Sequence, residues 1–304
     1  MPLHARLRAS VRGVAAVGVG AVLCALAAPA AAAAATAPRT PVSSAAHHVA
    51  GDYVLGPSTA PAASGVLAPA KLRAAVVPAS VDLRANAPAV GDQGQLSDCA
   101  AWTIGYAIMG YYANAKAGQG APYAPLYLYQ QSLRAPSTAP NGGTSGYAVL
   151  TEAQTNGVDT QADYTQGLYD WHTLPTAAQK ANAAAYKVTG WAHLFQGGNQ
   201  GAKAQQLIQQ ALAAGTPVAL GLEVFDNFGT LGPNQVYSAT TGRDLGGHMV
   251  TAFGYTAAGV IVRNSWGIDW GTNGDAILSW SYVAKYGIDA YSVSGISTPA
   301  LTQA

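Results

Sequence analysis

The 304-residue chain contains only two cysteines, and charged residues make up just 10% of it. Its formal net charge of +1 provides no basic surface of the kind that binds nucleic acid. The histidines are scattered: His47 and His48 lie in an alanine-rich stretch, and His172 and His193 stand alone, so no metal-ligand cluster is predicted. We therefore expect no cofactor, no metal and no nucleic-acid partner.

The N-terminus has the composition of a secretory signal peptide. Arg6, Arg8 and Arg12 precede the apolar run GVAAVGVGAVLCALAAPA, and an alanine-rich segment follows. We assign residues 1–36 to this leader. No later stretch approaches the roughly 18 apolar residues of a membrane helix. The sequence thus predicts a secreted, extracellular protein without a stable membrane anchor, and we expect a monomer.

Cys24 falls inside the predicted leader, which leaves Cys99 as the one cysteine of the mature chain. Exported proteins usually pair their cysteines in disulfides, so a single cysteine is either an inert buried thiol or a reactive group. The residues around Cys99 decide between these two interpretations.

Composition divides the chain into segments. Residues 37–76 are rich in Ala, Pro, Ser and Gly, which predicts a propiece or linker. A folded domain is expected over residues 77–296, followed by a tail at 297–304. The domain is long enough to form a core without disulfides.

Two segments of the domain have the pattern of helices. SDCAAWTIGYAIMGYYANAKAG begins with Ser97 or Asp98 as a possible cap and ends at Gly118. AKAQQLIQQALAAG carries apolar residues on one side and stops at Gly215, before Pro217.

The second half of the domain is rich in short β-prone segments. PVALGLEVF, HMVTAFGY, GVIVRNSW, DAILSWSYV and YSVSGI are separated by Gly, Asn or Asp. Helices followed by strands predict an α+β protein with two lobes. We expect a helical lobe at about residues 95–185 and a β-barrel-like lobe at about 186–296.

A cysteine at a helix N-terminus lies where unpaired N–H groups and the helix dipole favour a thiolate, although Asp98 opposes this effect. Catalysis by a thiolate also needs a base, a residue that orients the base, and donors for an oxyanion. His248, in GGHMVTAFGY, is the candidate base. Two antiparallel strands joined by TAAG would bring Asn264 beside it, and Gln93 could form an oxyanion hole with the Cys99 N–H.

Five segments resemble, in order, those of the papain family of cysteine peptidases: VPASVDLR, DQGQLSDC, NGGTSGYAVLTEAQTNGV, GGHMVTAFGY and NSWGIDWGTNG. The resemblance covers roughly residues 77–296. It implies a papain-like two-lobed fold with the active site in the cleft between the lobes. It also implies peptide-bond hydrolysis with Cys99 as nucleophile, His248 as acid and base, Asn264 as orienting residue and Gln93 as oxyanion donor.

The resemblance extends to supporting positions. Trp266 and Trp270 match tryptophans that shield the Asn–His hydrogen bond and line the leaving-group side of the cleft. Gly142 and Gly143 match a glycine segment whose backbone pairs with an extended peptide substrate, and Gly247 leaves the main side-chain pocket open.

The sequence also departs from the family pattern. Asp98 stands where the family usually has serine, Ala100 follows the nucleophile in place of tryptophan, and Leu96 and Pro140 occupy the positions of a disulfide. Two alternatives therefore stay open. One is a catalytically silent papain-fold binding protein, and the other is an acyltransferase or transpeptidase that uses the same site.

Overall fold

The computed structural model describes residues 77–117, 123–133, 142–167, 169–238 and 241–297. Among the features predicted from the sequence, those outside the described residues are the leader with Cys24, the linker, Gly118, Pro140 and the tail after Ser297.

The first lobe is organised around one long buried helix, α1. It runs without interruption through Cys99–Ala101, the π-helical segment Trp102–Ile108, and Met109–Ala117. Asp98 occupies the N-cap position, but its side chain makes no capping hydrogen bond, contrary to the expected cap. The first three turns are buried almost all round, so α1 forms the centre of the lobe rather than its surface.

Three shorter helices complete this lobe, and none of them was predicted. They are α2 (Pro125–Ser132), α3 (Gly146–Thr155) and α4 (Ala177–Ala183). Helices α2 and α3 contact α1. A proline begins α2, the Ser145 hydroxyl caps α3, and a Thr176–Gln179 capping box begins α4, as helix N-termini require.

The second lobe is built on an eight-stranded sheet with the order β2-β8-β3-β5-β6-β7-β4, in which β1 pairs with β5. The strands are β1 (Val81–Asp82), β2 (Val188–Gln196), β3 (Val218–Phe225), β4 (Val236–Tyr237), β5 (Asp244–Tyr255), β6 (Gly259–Arg263), β7 (Asp275–Ser279) and β8 (Gly287–Ile296).

Strand β5 lies antiparallel to both β3 and β6, so the predicted hairpin between His248 and Asn264 is present. Helix α5 (Ala202–Ala213) stops before Gly215, as predicted, and Gly215 has the positive φ of 75° typical of a residue just past a helix C-terminus. The predicted strand DAILSWSYV is wrong in its second half. The Ser279 hydroxyl accepts a hydrogen bond from the Tyr282 N–H and thereby starts helix α6 (Trp280–Tyr286).

Each lobe has its own apolar core, and the two cores meet at β5. Met249 belongs to the core that contains Ile104 of α1, whereas its neighbour Val250 belongs to the core of the β lobe. Adjacent side chains on a strand point to opposite faces, so β5 contributes to both lobes. Within the described residues, no helix has the length and apolar character needed to cross a membrane.

Candidate active site

Cys99 is the first residue of α1, and its free thiol is 4% exposed. Two hydrogen bonds hold the following turn against β5: Thr103 Oγ1 donates to Met249 O at 3.0 Å, and Thr251 Oγ1 donates to Thr103 O at 3.4 Å. The Cys99 thiol itself hydrogen-bonds with the Met249 backbone. The structure therefore places Cys99 beside the residue that follows His248.

His248 is held by Asn264 across the β5–β6 hairpin. Asn264 Oδ1 lies 2.8 Å from His248 Nε2, and the same oxygen accepts a hydrogen bond from the Ser265 backbone N–H at 2.8 Å. A backbone N–H only donates, so this contact identifies the Asn264 atom as oxygen. The proton between Oδ1 and His248 therefore lies on Nε2, and in the neutral imidazole Nδ1 is the basic nitrogen.

Trp266 covers the His248 ring, with centroids 4.5 Å apart, and it is 4% exposed. Trp270 packs edge-on against Trp266 and donates its Nε1–H to Phe228 O at 2.7 Å. Trp266 therefore occupies the shielding position that the resemblance implies. Trp270, at 4% exposure, is a core residue beneath Trp266, which differs from the substrate contact expected of it.

Gln93 is buried, and both ends of its side-chain amide are fixed. Its Nε2 donates to Leu96 O at 2.8 Å, and its Oε1 accepts from Ser265 Oγ at 2.6 Å. Gln93 N also donates to Ser265 O at 2.8 Å. Sequence reasoning missed Ser265, although its place directly after Asn264 in the NSWG motif was a usable signal. Ser265 connects the residue that orients His248 with the predicted oxyanion donor.

The glycines predicted to bind substrate lie on both lobes. Gly142 and Gly143 precede α3 and are partly exposed, and Tyr129 Oη donates to Gly142 O at 2.8 Å. Gly247 lies directly before His248 on β5 and is also partly exposed, opposite Glu223 of β3.

The buried environment of Cys99 opposes ionisation of its thiol. Burial raises the pKa of the Cys99 thiol to about 12, the Asp98 carboxyl adds to the rise, and hydrogen bonding to the Met249 backbone opposes it. The helix N-terminus does not offset the lost hydration of the anion. A thiolate at neutral pH therefore requires a cation beside it.

Asp98 is fully buried immediately before Cys99, although the sequence suggested a capping role. Its Oδ2 accepts the Trp102 Nε1–H at 3.1 Å, and its Oδ1 has no hydrogen-bond partner among the described residues. Burial raises the pKa of this carboxyl well above its usual range, and the bond from Trp102 opposes the rise only in part. The environment of Asp98 therefore favours the protonated form of its carboxyl relative to an exposed aspartate.

Asp98→Asn should stabilise the fold at pH 7. A raised pKa in the folded state means that the stability contribution of Asp98 is complete below the unfolded pKa of about 3.9 and is lost as pH rises toward the folded pKa. Asparagine keeps an acceptor for Trp102 without this loss. A tenfold difference in proton affinity between the folded and unfolded carboxyl is about 1.4 kcal/mol, so we expect the melting temperature to rise by about 3–5 °C for each tenfold difference.

Thermal melts of both proteins at pH 4 and pH 7 check this expectation. The difference should disappear at pH 4, and the exposed Asp269→Asn variant should show none at either pH. An Asp98→Asn protein that melts below the wild type at pH 7 would contradict a raised pKa of Asp98 in the folded chain.

Comparison with known proteins identifies the family of this chain. The model of the papain family cysteine proteases matches residues 77–296, well over half of the chain. A probable cysteine protease of Arabidopsis thaliana, RD21C, is 29% identical over 208 residues, which are 65% of this chain and 42% of that protein. Cathepsin B-like cysteine proteinase 4 of Caenorhabditis elegans is 30% identical over 153 residues, 49% of this chain and 42% of that protein. The chain thus spans less than half the length of these two relatives.

A solved structure shares the fold. Xylellain, a cysteine protease from Xylella fastidiosa, superimposes with a TM-score of 0.67 over 81% of this chain and 96% of its own, at 19% sequence identity. The match to the family model over residues 77–296 extends through both lobes and includes every element that positions Cys99, His248 and Asn264. The chain belongs to the papain family of cysteine proteases.

Proposed function

We propose that the protein is a secreted cysteine peptidase that hydrolyses peptide bonds with Cys99 as nucleophile. The observation that carries the proposal is the hydrogen bond between Asn264 Oδ1 and His248 Nε2. His248 lies on β5, and the next residue of that strand, Met249, contacts the Cys99 thiol through its backbone. Asn264 fixes the ring so that His248 Nδ1 is the nitrogen that exchanges a proton with the thiol. The predicted signal peptide supports export.

Acylation begins when the Cys99 thiol transfers its proton to His248 Nδ1. The imidazolium is the cation that the buried thiolate requires, since burial alone raises the pKa of the thiol to about 12. The thiolate attacks the peptide carbonyl carbon, and the imidazolium then protonates the leaving amine as the C–N bond breaks. The product of this step is a thioester on Cys99.

Deacylation returns the site to its starting state. His248 removes a proton from water, and the water oxygen attacks the thioester carbonyl carbon. The C–S bond then breaks to release the acid, and the proton on His248 returns to the Cys99 sulfur. Trp266 covers the ring face of His248 and excludes water from the hydrogen bond to Asn264. An amine in place of water would give acyl transfer by the same steps.

The oxyanion formed in both steps is held by Gln93 Nε2–H and the Cys99 backbone N–H. One hydrogen of the Gln93 amide is donated to Leu96 O, which leaves the second for the substrate. The Cys99 N–H at the first position of α1 has no acceptor within the helix. We propose that Ser265 positions the donor by holding Gln93 Oε1.

Gln93→Ala should lower kcat by about 10²–10³ and leave alkylation of Cys99 by iodoacetamide unchanged, because the amide acts only on the developing oxyanion. Ser265→Ala should lower kcat about tenfold, since Gln93 keeps its bond to Leu96. Steady-state kinetics on both single variants and the double variant measure the coupling.

If Ser265 acts through Gln93, Ser265→Ala should have no further effect in the Gln93→Ala protein. Gln95→Ala, at an exposed neighbouring glutamine, is the matched control and should retain full activity. Suppression of iodoacetamide alkylation in Gln93→Ala would instead mean that Gln93 shapes the nucleophile, and the oxyanion assignment would be dropped.

The proposed function is tested by incubating the purified mature protein with a peptidyl epoxide, and separately with peptides in the presence of an added amine. A peptidase labels at Cys99 and releases mainly the free acid. Predominant capture by the amine would identify an acyltransferase. Absence of both labelling and cleavage would identify a binding protein and would overturn the proposal.

A further inference from the structure

Tyr169 is a large side chain that the fold leaves 54% exposed. Its ring lies over Gly94, where a Cβ would be 2.6 Å from Tyr169 Cε1 and 2.9 Å from Oη. Gly94 directly follows Gln93, so the exposed ring lies one residue from the proposed oxyanion donor. The chemistry described above assigns no role to this aromatic surface.

Helix α2 holds both the loop that carries Tyr169 and the glycine segment at Gly142. Gln130 of α2, which is buried, donates its Nε2–H groups to Asp170 O and Thr173 O, both at 3.0 Å. The preceding residue, Tyr129, donates to Gly142 O at 2.8 Å. Adjacent residues of one helix thus hold both the Tyr169 loop and the glycine segment expected to pair with an extended peptide substrate.

The buried Tyr164 hydroxyl makes this attachment rigid, because it donates to Gln130 Oε1 at 2.9 Å and fixes the direction of the amide. Tyr169 therefore lies beside Gln93, whose amide is proposed to hold the carbonyl oxygen of the residue just before the scissile bond, and it lies on the lobe opposite Trp266. A substrate side chain placed between Gly94 and Gly142 would contact the ring of Tyr169.

We propose that Tyr169 is a specificity-determining residue of the subsite that holds the substrate residue just before the scissile bond. This inference rests on the proposed peptidase function. The ring selects a long unbranched side chain, whose methylene groups lie along it, over glycine. An arginine at this position also gains from its cationic group on the π face, and the partly exposed carboxyl of Asp170 follows in the chain.

Three fluorogenic peptides test the proposal. They share one sequence and carry glycine, norleucine or arginine before the scissile bond. Tyr169→Ala should lower kcat/KM for the norleucine and arginine peptides about fivefold to tenfold and leave the glycine peptide within about twofold. Tyr169→Phe keeps the ring and should retain the preference. Leu174→Ala, at a 64% exposed residue nearby in the chain, is the matched control and should change none of the three rates.

Iodoacetamide alkylation of Cys99 should be equal in all four proteins, which separates loss of a subsite from loss of the nucleophile. Equal declines on all three peptides in Tyr169→Ala would overturn the proposal, since the ring would then support Gln93 rather than contact a side chain. Unchanged ratios among the peptides would also overturn it. A wild-type protein that alkylates at Cys99 but cleaves none of the peptides would remove the proposed function, and this inference with it.

Discussion

Cys99→Ala is expected to abolish peptide cleavage, with a decrease of about 10⁴-fold or more, because no other residue replaces the nucleophile that forms the thioester. The fold should persist, since the change removes one buried sulfur atom from a residue at the start of α1. Peptide hydrolysis by the purified mature proteins measures the first effect. Thermal melting measures the second, and the two transitions should lie within a few degrees.

Alkylation of the wild-type protein with iodoacetamide is the matching chemical control, because it blocks the same sulfur without a change of sequence. Cys99→Ala and the alkylated wild-type protein should both still bind peptides that the unmodified wild type cleaves. Full activity in Cys99→Ala would contradict the mechanism and leave the binding-protein alternative or a different nucleophile.

The elements with a clear period were predictable from the sequence. Helix α5 has an apolar face and a terminal glycine, and the β5–β6 hairpin has two apolar strands joined by a short turn. Helix α2 was missed because its residues from Leu126 to Tyr129 are all at most 1% exposed, which leaves no polar face to mark a helix. Strand β2 was missed because three register shifts in its pairing with β8 break the alternation of a strand.

The candidate site was predictable to the extent that motifs name residue types. The structure brings His248 and Asn264 into contact and places Cys99 beside the following residue of β5. The burial of Asp98 was not predictable, because composition alone cannot tell a capping carboxylate from a carboxyl turned toward Trp102. The position of Trp270 likewise depended on the packing of the β-lobe core.

The dependence of the nucleophile on its base can be measured directly. Without an imidazolium, the Cys99 thiolate is disfavoured by burial and by the adjacent Asp98 carboxyl, and the pKa of the thiol rises to about 12. At pH 7 such a thiol is ionised in only about one molecule in 10⁵. The proposed mechanism has proton transfer to His248 stabilise the thiolate far below that pKa, in which case the two groups would titrate as a coupled pair.

His248→Ala should therefore lower the rate of Cys99 alkylation by iodoacetamide at pH 7 by about 10³-fold or more, and abolish peptide cleavage. The greater nucleophilicity of a high-pKa thiolate offsets only part of the lost ionisation. The alkylation rate of the variant should rise about tenfold per pH unit up to at least pH 10, because only a neutral thiol with a raised pKa remains. The wild-type rate should instead level off above an acidic limb.

His172→Ala, at an exposed histidine, should follow the wild-type profile. The alkylation rate of Asn264→Ala at pH 7 should lie between those of His248→Ala and the wild type. The His248 ring can still contact the thiol in this variant, but no side chain holds it by Nε2. If His248→Ala alkylated at pH 7 as fast as the wild type, the thiolate would be stabilised by the fold alone, and the ion pair would have to be abandoned.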